Sequence, residues 1–494
     1  MPQQRRSRIR SLLDRLDAEA ETFSRDLMRE YYLNGAGLKE DLSIVPIFQR
    51  HAELFTKKTI EALGGAPHDD ERRSPLRAFV VEGYLEDAAK SLSEAIAARE
   101  TGDTATWEGK ETPYRALPVL TANEADHERR VEIDRLRLEL TAAQNPLREE
   151  RWEALHAEAR GLGYGDYVSL CEDVGRVDLD GLAAPLESFL WDSESTYRSL
   201  LGHRMGEIGV APAEAGRSDI AFLFRSPQFD SHFPPERLLP SLRETLAALG
   251  IDLDGQGSVR LDVEARPQKS PRAFCAPIVI PSEVMLVINP HGGQDDYAAL
   301  FHEAGHTEHF ANVDATLPFA ARGLGDNSVT ESFAFVMEHL MYDAAWLEER
   351  LGWQDAADFV EFKRFHELYM VRRYAAKLLY ELDLHRSDNP RSKSKRYADL
   401  LTTFLGVRYN PADYLFDVDD GFYCARYLRA WAFEAQLRRH LESDFGRQWF
   451  LSVEAGARLR RLWAMGQRLP VERLAQEIGY AGLDFAPLFD ELTT

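Results

Sequence analysis

Apolar positions recur at three- and four-residue spacing through most of the chain. Leu12, Leu13, Leu16 and Phe23, then Ile44, Ile47, Phe48, Phe55 and Ile60, then Leu85, Ala88, Leu92 and Ile96 mark amphipathic helices before residue 100. Residues 101–123 are rich in Thr, Gly and Pro and read as a connection. The helical pattern resumes over 124–162, breaks at Gly161, Gly163 and Gly165, and continues through 182–208 and 240–249, where Gly250 closes it. The period changes once. Over 258–289 the segments SVRLDVEA, AFCAPIVI and EVMLVIN, separated by prolines, predict a small antiparallel sheet of about three strands. EVMLVIN is the candidate for an exposed edge that could pair with an extended peptide, the alternative being an ordinary buried strand. After Pro290 the pattern is helical almost to the end, with a Pro/Asp-rich interruption over 410–421. The fold class is therefore mainly α, and the lack of a long flexible linker implies one compact unit with an approximate boundary near residue 215.

Charge and composition narrow the classes. The 494 residues hold 82 acidic and 59 Lys or Arg side chains, a net charge of −23, and 44% are apolar, enough for a sizeable core and against dominant disorder. The negative surplus repels a phosphate backbone, so nucleic acid is not the expected partner. Cys171, Cys275 and Cys424 form no CxxC pair or even-numbered framework, which fits a reducing compartment. The early basic stretch has no apolar run behind it, and Asp14 and Asp17 interrupt an Arg-rich targeting pattern, so it reads as the first helix of the fold. No stretch approaches the roughly 18 uncharged apolar residues of a membrane span. A cytoplasmic, soluble protein with no membrane partner is expected, its oligomeric state open.

The chemistry concentrates in DDYAALFHEAGHTEHFANV, residues 295–313, which opens with two acids suited to a helix N-terminus. Within it stands His302-Glu303-Ala304-Gly305-His306. On a helix, positions i and i+4 are stacked neighbours, so both imidazoles can converge on one tetrahedral Zn²⁺. Glu303 then sits beside the metal, placed to take a proton from a water that the metal acidifies. Such a motif arises by chance on the order of 0.03 times in a chain of this composition, so a third ligand is required.

Glu331 supplies one, 25 residues beyond His306, after a loop bearing Pro318, Gly323 and Gly325. It also stands three residues after Ser328, the spacing of a capping box, but beside HExxH the ligand reading is favoured. Glu338, two turns further along that helix, could accept a hydrogen bond from a ligating imidazole or be a solvated charge. His309 and His339 read as structural. One zinc ion per chain is the expected cofactor.

These residues resemble a known family. HEAGHTEH is similar to the HExGHxxH core of the thimet oligopeptidase and oligoendopeptidase F zinc metallopeptidases, and Glu331 through Glu338 resembles their ExxxxxxE helix. KSPRAFCAP followed by EVMLVINP resembles the strand pair before the metal helix, and MGQRLPVERLAQEIGY the terminal helix. The resemblance implies two helical lobes around a deep substrate channel, an N-terminal helical region over 1–215 and a catalytic region over 216–494. It also implies a tyrosine that stabilises the oxyanion. In GFYCARYLRAW, Tyr423 and Tyr427 stand at i and i+4, and the pair Arg426-Tyr427 also looks like the corresponding helix of angiotensin-converting enzyme, which favours Tyr427. Relatives carry a His some ten residues before that tyrosine, where this chain has YLFDVDDG and no His. Arg426, Arg372 or Arg373 could bind a substrate carboxylate.

The expected activity is hydrolysis of short peptides by a zinc-activated water, with oligopeptide as partner. The alternatives are a carboxypeptidase-type exopeptidase of the same fold and a non-catalytic peptide-binding relative. The intact Glu303 argues against the latter, since binding needs no general base.

Overall fold

The computed structural model describes residues 2–64, 70–387 and 389–493, with side chains from residue 9 onward. It is mainly helical with two small sheets. The helices that carry the argument are labelled in chain order: α1 (Pro2–Gly35), α2 (His127–Gly161), α3 (Tyr167–Gly175), α4 (Gln294–Ala311), α5 (Asn327–His339), α6 (Ala357–His385) and α7 (Tyr423–Phe445).

Compactness divides the chain differently from a single cut near residue 215. One unit gathers Met1–Val81, Pro227–Lys363 and Arg429–Glu491, and the other gathers Glu82–Ser226, Arg364–Leu428 and Leu492–Thr494. Both are assembled from separated stretches of sequence, which no composition shift marks.

The first unit holds a three-stranded sheet, β3 (Val259–Asp262), β4 (Phe274–Val279) and β5 (Glu283–Val287), in the order β3-β5-β4. The expectation of a purely antiparallel sheet is corrected: β4 pairs antiparallel with β5, but β3 runs parallel to it. EVMLVIN is likewise the central strand and not an edge. Its run of buried residues has a physical cause, because alternate side chains on both faces are covered. Met285 and Val287 join Ala276 and Ile278 against Ala36 and Tyr32 at the end of α1. Val284 and Leu286, on the opposite face, are fully buried, and both β4 and β5 contact α4.

The helix α5 packs along α4. Gly305 makes this possible: a Cβ there would stand 2.5 Å from the Phe333 carbonyl oxygen and 2.6 Å from Ala334 Cα. A run from Ser328 to Met337 is buried on every side of α5, as for a helix enclosed in a core.

In the second unit, the stretch expected to be a plain connection contains a hairpin, β1 (Thr104–Trp107) with β2 (Lys110–Pro113), turning on Glu108 and Gly109, both at positive φ. The long helix α2 begins on an Asp126 cap, whose carboxylate accepts from the Arg129 amide.

Candidate metal centre

The helix α4 starts after Gly292 and Gly293, both at positive φ, and Asp296 in its first turn accepts from the amides of His291 and Gly292 at 2.6 and 2.9 Å. About two turns on, His302 and His306 lie one above the other with ring centroids 4.8 Å apart. Glu331, from the second turn of α5, brings one carboxylate oxygen to 3.5 Å from His302 Nε2 and 3.7 Å from His306 Nε2. One donor atom from each of the three residues falls within 4.8 Å of the others.

That spacing fits a metal. Two ligands each about 2.1 Å from one tetrahedral ion stand about 3.4 Å apart, near the distances seen here and longer than most direct hydrogen bonds. The outer ring nitrogens are occupied as such a site requires. His302 Nδ1 stands 2.9 Å from Glu338 Oε2 and His306 Nδ1 stands 2.8 Å from Thr330 Oγ1. With Nδ1–H donating outward, each Nε2 lone pair faces Glu331 and the shared point. Glu338 is itself held by the Tyr342 hydroxyl at 2.5 Å. His302, His306, Glu331 and Glu338 thus form one cluster.

Electrostatics follow from these neighbours. Burial alone would depress the His302 imidazole, but the carboxylates of Glu331 and Glu338 outweigh it and raise it to about 10. His306 faces a hydroxyl on its outer side instead of a carboxylate, and burial pushes it down to about 4. Glu338 is also penalised by burial, yet His302 and Tyr342 hold it down at about 2.

Glu303 projects from α4 beside this cluster, and its Oε2 accepts from the Cys275 amide of β4 at 2.8 Å. Burial lifts its carboxyl to about 7, against the opposing pull of His302 and that amide. Such a carboxylate is poised to exchange a proton near neutrality.

The structure removes one sequence alternative. The cap of α5 is Asp326, which accepts from Ser328 N at 3.0 Å; Ser328 is not the cap, and its hydroxyl accepts from Arg429. Glu331 is therefore not used as a capping-box partner. His309 is fully buried against Phe310 and Phe333, and burial drives it to about 3, a packing residue as read from sequence.

Tyr423, Arg426 and Tyr427 belong to the second unit. The rings of Tyr423 and Tyr427 lie 5.1 Å apart, with Tyr374 5.4 Å from Tyr427. Arg426 pairs with Glu82 at 2.7 Å. Arg372 is fully buried and donates to Leu190 O, Ser193 Oγ and Phe404 O, while Arg373 pairs with Asp417. Both are taken up inside their unit, which corrects their reading as carboxylate binders.

Thr330, Tyr342 and the Cys275 amide went unnoticed in the sequence. A threonine beside a candidate ligand was the one available signal. The amide had none.

The second unit holds another group of ligand types, Glu381, Asp419 and Cys424. Here the Lys377 ammonium is already present, 2.8 Å from Asp419 and 3.8 Å from Glu381. The Cys424 thiol, pushed well up by burial, donates to Glu381 at 3.2 Å, and Glu381 also accepts from the Asp419 amide at 2.8 Å. Burial raises Glu381 to about 8 despite Lys377.

No protein-family model and no curated protein sequence matches the chain. Solved structures do. A protein provisionally named oligoendopeptidase F from Bacillus anthracis str. Ames superposes with a TM-score of 0.65 at 15% identity, over 94% of this chain and 84% of that one. A second protein with the same provisional name gives 0.68 at 14% identity, over 99% of this chain and 95% of the other. The fold is that of oligoendopeptidase F. The likeness runs over nearly the whole chain, so both units, and not the metal cluster alone, share in the oligoendopeptidase F fold.

Proposed function

We propose that the protein is a zinc-dependent oligoendopeptidase that hydrolyses peptide bonds of short peptides. The observation that carries this reading is the convergence of His302 Nε2, His306 Nε2 and a Glu331 oxygen at tetrahedral spacing, with Glu303 alongside. His302, His306 and Glu331 would hold the Zn²⁺, which when bound acidifies water and polarises a peptide carbonyl. Glu303, held by the Cys275 amide through one oxygen, accepts the proton of the attacking water and returns it to the leaving amine. Glu338 and Thr330 keep the two imidazoles oriented. Tyr427, or Tyr423 one turn before it, donates a hydrogen bond to the carbonyl oxygen as charge builds there, a contribution of about 2.7–4 kcal/mol for donors of this kind. Arg426 binds substrate.

Among the described residues no helix is long and apolar enough to cross a membrane. A cytoplasmic location and a partner set limited to oligopeptides belong to the same proposal, and rest on charge and cysteine usage.

Metal analysis alongside activity on a mixed peptide library tests it. One zinc per chain and internal cleavage, including of peptides blocked at the C-terminus, are expected. Absence of bound zinc, or of any cleavage by the zinc-loaded protein, overturns the proposal.

A further inference from the structure

The N-terminal end of α5 does more than carry Glu331. It also supplies Thr330, which orients His306, so two of the three metal contacts depend on where this end of the helix sits. Its end is fixed by Asp326, the cap, and by Ser328. Both are gripped from α7. Arg429, seven residues into that helix and 3% exposed, forks onto Asp326 with Nη1 and Nη2 at 3.1 and 2.7 Å. Its Nη1 also donates to Ser328 Oγ at 3.0 Å, and its Nε and Nη2 fork onto Glu472 at 2.8 and 2.7 Å. These five contacts engage every donor a guanidinium has.

A fully buried guanidinium between two carboxylates is a poor source of net stability, because desolvation cancels much of the attraction. What it provides is geometry: two planar forks fix the distance and orientation of both partners in a way a point charge cannot. From this, and resting on the zinc reading above, we infer that Arg429 is a positioning residue for the metal, locking the capped turn of α5 so that Glu331 and the Thr330-oriented His306 meet at one point. Glu472, which is 42% exposed on its side chain, is the anchor on the far side of the guanidinium.

The test measures zinc affinity by chelator competition on the full-length protein at a temperature where thermal unfolding of each metal-free variant shows it folded. Arg429→Lys keeps the charge but cannot serve Asp326, Ser328 and Glu472 together, and zinc affinity is expected to fall at least about 10-fold. Glu472→Gln leaves the contacts to α5 in place and loosens only the anchor. A several-fold loss is expected, and this variant carries the test if Arg429→Lys does not fold. With Co²⁺ in place of zinc, the visible absorption bands of both variants should shift, which a contribution to fold stability alone would not cause. Wild-type zinc affinity and an unshifted Co²⁺ spectrum in the folded variants overturn the inference by itself. Wild-type protein that takes up no zinc removes the metal reading, and Arg429's role with it.

Discussion

Two clusters in this molecule are built from the same kinds of side chain, and they differ in what supplies the positive charge. In the first unit, His302, His306 and Glu331 face one another at 3.5 and 3.7 Å, and their outer atoms are tied to Glu338 and Thr330. In the second unit, Glu381, Asp419 and Cys424 lie equally close, but the Lys377 ammonium sits 2.8 Å from Asp419. The first cluster is the one proposed to receive a cation from outside, and the second carries its own. Residue type and proximity alone would rank the two together. What separates them is whether the protein's own charges already balance, since a buried carboxyl takes either a positive partner or a proton.

The largest expected effect tests the first cluster as a reaction centre. Replacing Glu303 by Gln should leave one zinc per chain and lower peptide hydrolysis by about 10²–10⁴-fold, the range for loss of a positioned acid–base group. Unchanged turnover would remove Glu303 from the mechanism while leaving the metal site standing. Next in size is the removal of the internal cation. Lys377→Met leaves the partly buried Asp419 and the buried Glu381 without their ammonium, and a loss of about 2–3 kcal/mol, below that of a fully buried ion pair, is expected in urea unfolding, with the zinc content still one. A wild-type protein that binds a second zinc, or a Lys377→Met variant of full stability, would break the comparison.

A smaller effect belongs to the groups behind the ligands. Glu338→Gln keeps a hydrogen-bond acceptor beside His302 but removes the negative charge that makes the imidazole a stronger donor to metal. Zinc affinity should fall about 10-fold by chelator competition. An unaltered affinity would mean that Glu338 only packs.

The metal cluster was legible because its spacing is set by helix geometry. The step of four from His302 to His306 is one turn, and the step of seven from Glu331 to Glu338 is two, so each pair shares a face whatever surrounds it. The supporting contacts obey no such rule. Cys275 reaches Glu303 from a strand 28 residues away, and Arg429 reaches Asp326 across 103. Nothing local in the sequence records either meeting. The sheet shows a different limit. EVMLVIN reads as a strand that could be an edge or buried, yet an unbroken apolar run is the mark of a strand covered on both faces, and it lies at the centre. The parallel pairing of Val259–Asp262 with β5 depends on a chain path that hydrophobic period does not encode. The helical class, by contrast, follows from periodicity alone and agrees with the fold shared over nearly the whole chain.

The smallest expected effect at any single pH step reads the charge balance of the second cluster directly. Burial raises Glu381 to about 8 from an ordinary value of 4.5, with Lys377 opposing the shift. The folded protein therefore holds a proton on Glu381 that the unfolded chain gives up between pH 4.5 and 8. Stability from this group is fully present below pH 4.5 and is lost as the pH rises through 8. Other carboxyls titrate over the same window, among them Glu308 and Glu434, each raised to about 7 by burial, so the wild-type curve alone does not isolate Glu381. Glu381→Gln does. The amide cannot titrate, yet can still accept from the Asp419 amide. The difference in unfolding free energy between variant and wild type, measured in urea, should therefore grow in the variant's favour from pH 5 to pH 8, by about 1 kcal/mol per pH unit. A difference that stays flat would mean that Glu381 is ionised throughout and that Lys377 neutralises it fully. The second cluster would then be an ordinary buried ion pair, and its contrast with the metal-ready cluster would rest on Lys377 alone.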